Sequence, residues 1–458
     1  MTTAGETFES IINEFRETSK AMIGEEVHEG YPLDEGLYHG MKQPFSSEGP
    51  PYQSPWVLTE KAATAYALHI GDDNPLYTDP EYAKTGPYGC QITPGTAMIM
   101  ARTPMWHGPE ELWRDRPGGI PMANFHSGTA WEFYDVLRVG TGFRTTSKAK
   151  EVIEKPGSRG NLFFLISDVN YWDMGGDLLG KCYGTLIMVP REEMGTGRAM
   201  SVERLGERMM YEREAGTYDE AKSKEILDLL EKAKPRGKDT LYWEDVKEGD
   251  KLPTFVVPPW TDQDWSVTGF IRNGAARGYA FEAGYNARKY KLLAGFAGNA
   301  YTHPVTRWPW AHGEEHGDAL MAAYRGQALP FDWGGQRSQI PQALMSNWMG
   351  DEGFIRRLQM ALRRPMYYGD VGIYNGEVVK VFKEVQKGEP GPGAVDGERT
   401  YYAVGIKYEG RNHEDQVFVQ GTACVYLPSR EGGRIELPIP HVAAPPAVPY
   451  ETFYRDWY

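Results

Sequence analysis

One stretch, His69 to Pro94 (HIGDDNPLYTDPEYAKTGPYGCQITP), constrains this chain more than any other. It follows a run of helical spacing, Ala63, Tyr66, Ala67 and Ile70, which Thr59-Glu60 opens as a cap. Gly71-Asp72 punctuates as a helix end. Asn74-Pro75 is a turn signal, because the Pro75 ring pushes Asn74 out of the α region. Asp79-Pro80-Glu81 then starts a second short helix through Ala83, since Asp caps well and Pro suits a first turn. The stretch predicts a rigid loop between two helices that carries a carboxylate (Asp72), an amide (Asn74) and a phenol (Tyr77). A loop pinned in this way holds a reacting group well.

GDDNPLYTDPEYA resembles the GDxNPxHxDPxxA signature of MaoC-like (R)-specific enoyl-CoA hydratases. Gly71, Asp72, Asn74, Pro75, Asp79, Pro80 and Ala83 all fall at that family's spacing. One position departs: Tyr77 stands where the family keeps its catalytic His. The resemblance implies an α+β hotdog fold, in which an antiparallel sheet wraps a central helix. It also implies addition of water across the double bond of an enoyl-CoA thioester.

A chain of 458 residues exceeds one ordinary core, so two or more domains are expected. Both halves finish alike, with Gly-Thr, an apolar strand, Pro and Arg-Glu: Gly184-Thr185 to Glu192, and Gly421-Thr422 to Glu431. Each also carries a strand behind a Gly-led turn, from Val139 and from Tyr368. This half-chain repeat extends the resemblance to a tandem (double) hotdog. The expected domains are 1–190 with an N-terminal helical extension, a charged helical linker over 191–240, and 241–458 with an insertion. Central helices are expected over Thr96–Trp106, broken by Pro104, and within 331–358; strands are expected from Phe133 onward. The net charge of -14 argues against nucleic acid or anionic membrane as a partner. No apolar run reaches the ~20 residues of a membrane span, and no leader pattern opens the chain. Three widely spaced cysteines, Cys90, Cys182 and Cys424, fit a reducing cytoplasm. A homodimer or higher homo-oligomer is expected.

In the second half His316, Asp318, Ala322 and Gly326 keep the tail of the signature, while Ala311 stands where its Asp belongs. Each half thus holds part of an Asp/His pair. Hydration needs a base for water, an acid for the α carbon and donors for the enolate oxygen. Asp72, Asn74, Tyr77, Gly95, His316 and Asp318 are the candidate catalytic residues. Tyr is a poor base near neutrality, with a reference pKa of about 10, but it donates a hydrogen bond or orients water. Backbone N–H groups at Gly95-Thr96 or Gly334-Gly335 are candidate oxyanion donors. Arg356, Arg357, Arg363 and Arg364 fall on one face if helical and are candidates for coenzyme A phosphates. No cofactor is expected beyond coenzyme A as part of the substrate.

Bland alternatives stand beside these. Asp72 and Asn74 are good caps, Tyr77 a good core aromatic, and His316 could pack on Trp308 and Trp310. The four arginines fit a solvated face, and GEPGPG at 388–393 reads as a hairpin loop. Two further classes remain: an acyl-CoA-binding subunit that turns over only with a partner, and a zinc hydrolase using His312 and His316 of HGEEH, which Gly313 and Gly317 disfavour as a helix.

Overall fold

The computed structural model describes residues 7–27, 56–109, 112, 122–157, 160–190, 214–264, 300–302, 305, 309–311, 315–324 and 327–458. Most of the Gly-, Pro- and Tyr-rich run 30–56, which reads as an extended wrap, the first part of the linker, most of the aromatic- and Gly-rich segment 274–315, and His312, Glu314 and Gly326 lie outside these residues.

Ten strands form one antiparallel sheet: β1 (Trp56–Val57), β2 (Met122–Phe133), β3 (Gly142–Gly157), β4 (Gly160–Asp173), β5 (Leu178–Pro190), β6 (Phe255–Val257), β7 (Phe354–Leu362), β8 (Gly372–Gly388), β9 (Gly397–Arg411) and β10 (Val417–Tyr426). Their order is β1-β3-β4-β5-β2-β7-β10-β9-β8-β6. Exchanging the halves leaves that order unchanged, so the sheet has an internal two-fold. Its centre is the antiparallel β2–β7 pair, from Gly128 opposite Ala361 to Glu132 opposite Arg357.

Both central strands differ from the sequence expectation. Strands were expected only from Phe133, and residues up to 358 were assigned to a helix. The reason is that β2 and β7 are buried on nearly every residue. A strand covered on both faces loses the period of two that marks a strand in sequence.

Each half wraps its strands around a short central helix. In the second half this is Pro341–Met349, buried along its whole length. In the first half the expected helix is only a 3-10 turn, Gly95–Met100. Pro104 cannot continue a helix and disfavours it at Thr103. The Arg102 carbonyl instead accepts the Tyr171 hydroxyl at 2.6 Å. The chain then lies directly on β5: a Cβ at Gly184 would stand 1.4 Å from the Pro104 carbonyl oxygen.

One apolar core runs through both halves, joining Tyr66, Met98, Trp131 and Phe133 to Leu344, Met345, Leu358 and Tyr374. The N-terminal helix Phe8–Ala21 seats Ile11, Ile12 and Phe15 on Trp106, Phe163 and Leu165. At the other end, the helix Tyr450–Tyr454 crosses onto the first half, where Phe453 stacks on Tyr183 with ring centroids 5.1 Å apart. Neither half is closed without the other. A fragment of residues 1–190 is therefore expected to aggregate, because it bares the β2 edge and the Tyr183 face. Its solubility and thermal melt test this; a monomeric, cooperatively unfolding fragment would contradict the shared core.

Candidate active site

The loop from Gly71 to Lys84 is built by its own sequence. Gly71 ends the helix Glu60–His69 at φ +82°, and a Cβ there would come within 2.9 Å of Phe255. Asn74 caps Pro75–Thr78, its Oδ1 accepting the Leu76 N–H at 2.9 Å. Asp79 caps Pro80–Lys84, accepting from Glu81 and Tyr82. The expected caps are thus present, but at Asn74 and Asp79. Asp72 does something else.

Asp72 is fully buried. Its Oδ1 accepts the Asn74 N–H at 3.2 Å, and among the described residues its Oδ2 has no hydrogen-bond partner. Burial pushes the carboxyl up from its ordinary 3.8 to about 7, with Asp73 and Asp351 adding to the rise. The Asn74 N–H and the Ser346 hydroxyl pull it the other way.

The other side of the site comes from the second half. Tyr77 Oη lies 3.3 Å from Ser346 Oγ on the helix Pro341–Met349. Asn74 Nδ2 donates to Asp351 Oδ1 at 3.1 Å, and Tyr82 Oη donates to Asp351 Oδ2 at 2.8 Å. The Thr96 N–H donates to Gln342 Oε1 at 2.9 Å. Ser346, Gln342 and Asp351 were not singled out in the sequence.

Beside this network lies a cavity of about 40 Å³. Tyr77, Gly95, Phe133, Gln342, Met349 and Phe354 line it, among others from both halves; Asp72 does not. Gly95 is required by packing, because a Cβ would stand 2.6 Å from the Phe133 ring. Tyr77 is a core aromatic, 4 % exposed, but its hydroxyl belongs to the polar network. Burial first, and then the Asp72 charge, holds its phenol well above the ordinary range, so it stays neutral and able to donate.

The raised Asp72 pKa makes a stability prediction. The folded state binds a proton that the unfolded state releases near 3.8, so stability from this group falls as pH rises from about 4 to about 7. Asp72→Asn should therefore stabilise the protein above pH 7, by at most about 4 kcal/mol, and change little near pH 4. Thermal melts at the two pH values check the difference; equal effects at both would contradict the buried, uncompensated carboxylate.

No protein-family profile matches the sequence, and no curated protein is detectably similar to it. Solved structures are similar. A "MaoC-like dehydratase" superposes with a TM-score of 0.52 at 13% identity, covering 82% of this chain and 96% of that one. The fold is a tandem hotdog. A putative MaoC domain protein dehydratase from Chloroflexus aurantiacus gives 0.44 at 15% identity, over 82% of this chain and 93% of its own. A MaoC-like dehydratase from Phytophthora capsici gives 0.43 at 11%, over 83% and 98%.

The second hotdog repeats the loop of the first. Tyr77 precedes Gly95 by eighteen residues, and His316 precedes Gly334 by eighteen. Asp318 Oδ1 accepts the Met321 N–H at 2.9 Å, as Asp79 accepts the Tyr82 N–H. The Ala322 N–H bonds to the Asp318 carbonyl as that of Ala83 bonds to Asp79. Asp318 is thus a helix cap. His316 holds Tyr77's place in the repeat, with Nδ1 at 2.7 Å from the Phe331 carbonyl oxygen. His316 also packs on the Phe331 ring, with centroids 4.6 Å apart, and a Cβ at Gly334 would meet Leu362 and His126. Among the described residues no three His, Cys, Asp or Glu side chains cluster as metal ligands would. Among them, too, no helix is long and apolar enough to cross a membrane.

The four arginines do not share a helical face. Arg356 and Arg357 lie in the strand β7, with a bulge against β10 at Arg356. Arg356 is buried against Glu132 at 3.2 Å, and Arg357 grips Glu384 through both terminal nitrogens. Arg363 and Arg364 follow the strand; Arg363 donates to Tyr454 Oη at 3.0 Å. Arg356 and Arg357, expected as contacts for coenzyme A phosphates, are thus buried in ion pairs within the sheet.

Proposed function

We propose that this chain is a hydro-lyase that adds water to, or removes it from, an enoyl-CoA/3-hydroxyacyl-CoA double bond, with Asp72 as general acid/base. The observation that carries this reading is the Asp72 carboxylate: fully buried, poised at about 7, with one oxygen unbonded, one side chain away from a cavity. A group that titrates near the working pH exchanges a proton in both directions. In hydration, water oxygen attacks the β carbon and its proton leaves toward Asp72. The double-bond electrons move onto the α carbon and the thioester oxygen, and the α carbon then takes a proton.

The thioester oxygen needs a donor, and Gln342 supplies it. Its Oε1 is held by the Thr96 N–H, so its Nε2 is the amide group left without a partner among the described residues, in the cavity wall. The Thr96 N–H cannot take that role while it is engaged with Gln342. Gln342→Ala should lower kcat by about a hundredfold, the usual size for one oxyanion donor, with KM little changed. Steady-state kinetics check this; a change confined to KM would contradict it. Coenzyme A enters only as part of the substrate.

The test of the function is a panel of enoyl-CoA thioesters of increasing bulk, followed by loss of the enoyl absorbance. A second reading has an observation of its own, since Asp72 is absent from the cavity wall. Saturable thioester binding with no turnover of any member would select an acyl-CoA-binding subunit.

A further inference from the structure

Asp72 is the group with the right proton affinity, yet Tyr77 is the one that faces the cavity. We propose that Tyr77 and Ser346 form a proton relay between the cavity and Asp72, so that the catalytic group touching water is the phenol and the proton is stored on the carboxylate behind it. This inference rests on the hydro-lyase reading of the site. Three observations carry it. Tyr77 Oη lies 3.3 Å from Ser346 Oγ, within reach of a hydroxyl-to-hydroxyl transfer. Ser346 is 1 % exposed and reaches the first hotdog from the helix of the second, so water does not take its place. Asp72 Oδ2 is buried and has no partner among the described residues, which is costly unless a donor can turn to it. Catalytic hydrogen bonds are commonly long before substrate is bound, and the Ser346 hydroxyl is the side-chain donor that acts on the Asp72 carboxyl.

The transfers balance. Water forms its C–O bond at the β carbon and loses a proton to Tyr77 Oη. The Tyr77 proton passes to Ser346 Oγ, and the Ser346 proton passes to Asp72 Oδ2. Tyrosine and serine finish neutral, as they began, and no phenolate is formed. Asp72 then returns its proton along the same route to the α carbon, so water has been added and the carboxylate regenerated. This is how a tyrosine, a poor base, can stand where a histidine would serve. The charged and titratable groups around the relay are Asp73 and Asp351 beside Asp72, and Tyr88 beside Tyr77.

The experiment compares full-length wild type, Tyr77→Phe, Ser346→Ala and Ser346→Thr. Two readouts are taken: the Asp72 titration by carboxyl 13C NMR, assigned with Asp72→Asn, and hydration in H2O/D2O mixtures. The relay predicts that the Asp72 titration rises by about half a unit or more in Ser346→Ala, which loses a donor. It predicts a rise in Tyr77→Phe as well, although Tyr77 does not touch the carboxylate, and recovery in Ser346→Thr. It predicts turnover down about ten- to a hundredfold in the first two variants, and a curved dependence on deuterium fraction in wild type that becomes linear in Ser346→Ala. An Asp72 titration identical in all four proteins overturns the relay, whether or not the enzyme turns over. The predicted titrations without turnover of any thioester keep the relay and remove the hydro-lyase reading.

Discussion

Arg356→Ala should lower the free energy of unfolding by about 3–5 kcal/mol, the cost of stranding a buried charge. Glu132 and Arg356 meet where the two hotdogs join, with side chains 9% and 4% exposed. Arg356 also donates to the Phe133 carbonyl at 3.2 Å and lies 4.5 Å from the centre of the Tyr134 ring. Tyr134 Oη donates to the same Glu132 oxygen at 3.0 Å. Removing the guanidinium leaves the carboxylate in the sheet with only phenol donors. Replacing the pair together, Glu132→Gln with Arg356→Met, should cost much less, because no unpaired charge remains. Urea unfolding of the two proteins measures the difference. A loss below about 1 kcal/mol in Arg356→Ala, typical of an exposed pair, would contradict a buried seam.

Asp72→Asn should keep the fold and cut turnover by at least about a hundredfold. The pH dependence carries the sign. Hydration requires the ionised carboxylate, so the wild-type rate should climb as pH rises through about 7. The residual rate of Asp72→Asn should lack that limb. A limb at the same pH in Asp72→Asn would place the titrating base elsewhere.

How much of this was legible in the sequence follows from distance along the chain. The caps at Thr59, Asn74 and Asp79 depend on neighbours one to three residues away, and local patterns expose them. The tandem repeat shows because both halves end on Gly-Thr, an apolar strand, Pro and Arg-Glu. The partners of the loop do not show. Tyr77 meets Ser346 across 269 positions, Asn74 meets Asp351 across 277, and Thr96 meets Gln342 across 246. Nothing near Ser346 in sequence marks it as facing a carboxylate. The arginines were misplaced for a different reason: FIRRLQMAL reads equally as helix or strand when both faces are apolar, and its cross-strand partners decide. Asp72 resembled a helix cap because Asp before a turn usually is one; only its depth shows that it is not.

The most direct measurement is incubation of the wild-type protein with the enoyl-CoA panel in D2O, with products read by mass spectrometry and NMR. The account predicts a 3-hydroxyacyl product carrying one deuterium on the α carbon for at least one member, at a rate that Asp72→Asn reduces a hundredfold or more. Recovery of every enoyl thioester unchanged and free of deuterium, from protein shown to bind it, would contradict a hydro-lyase at Asp72.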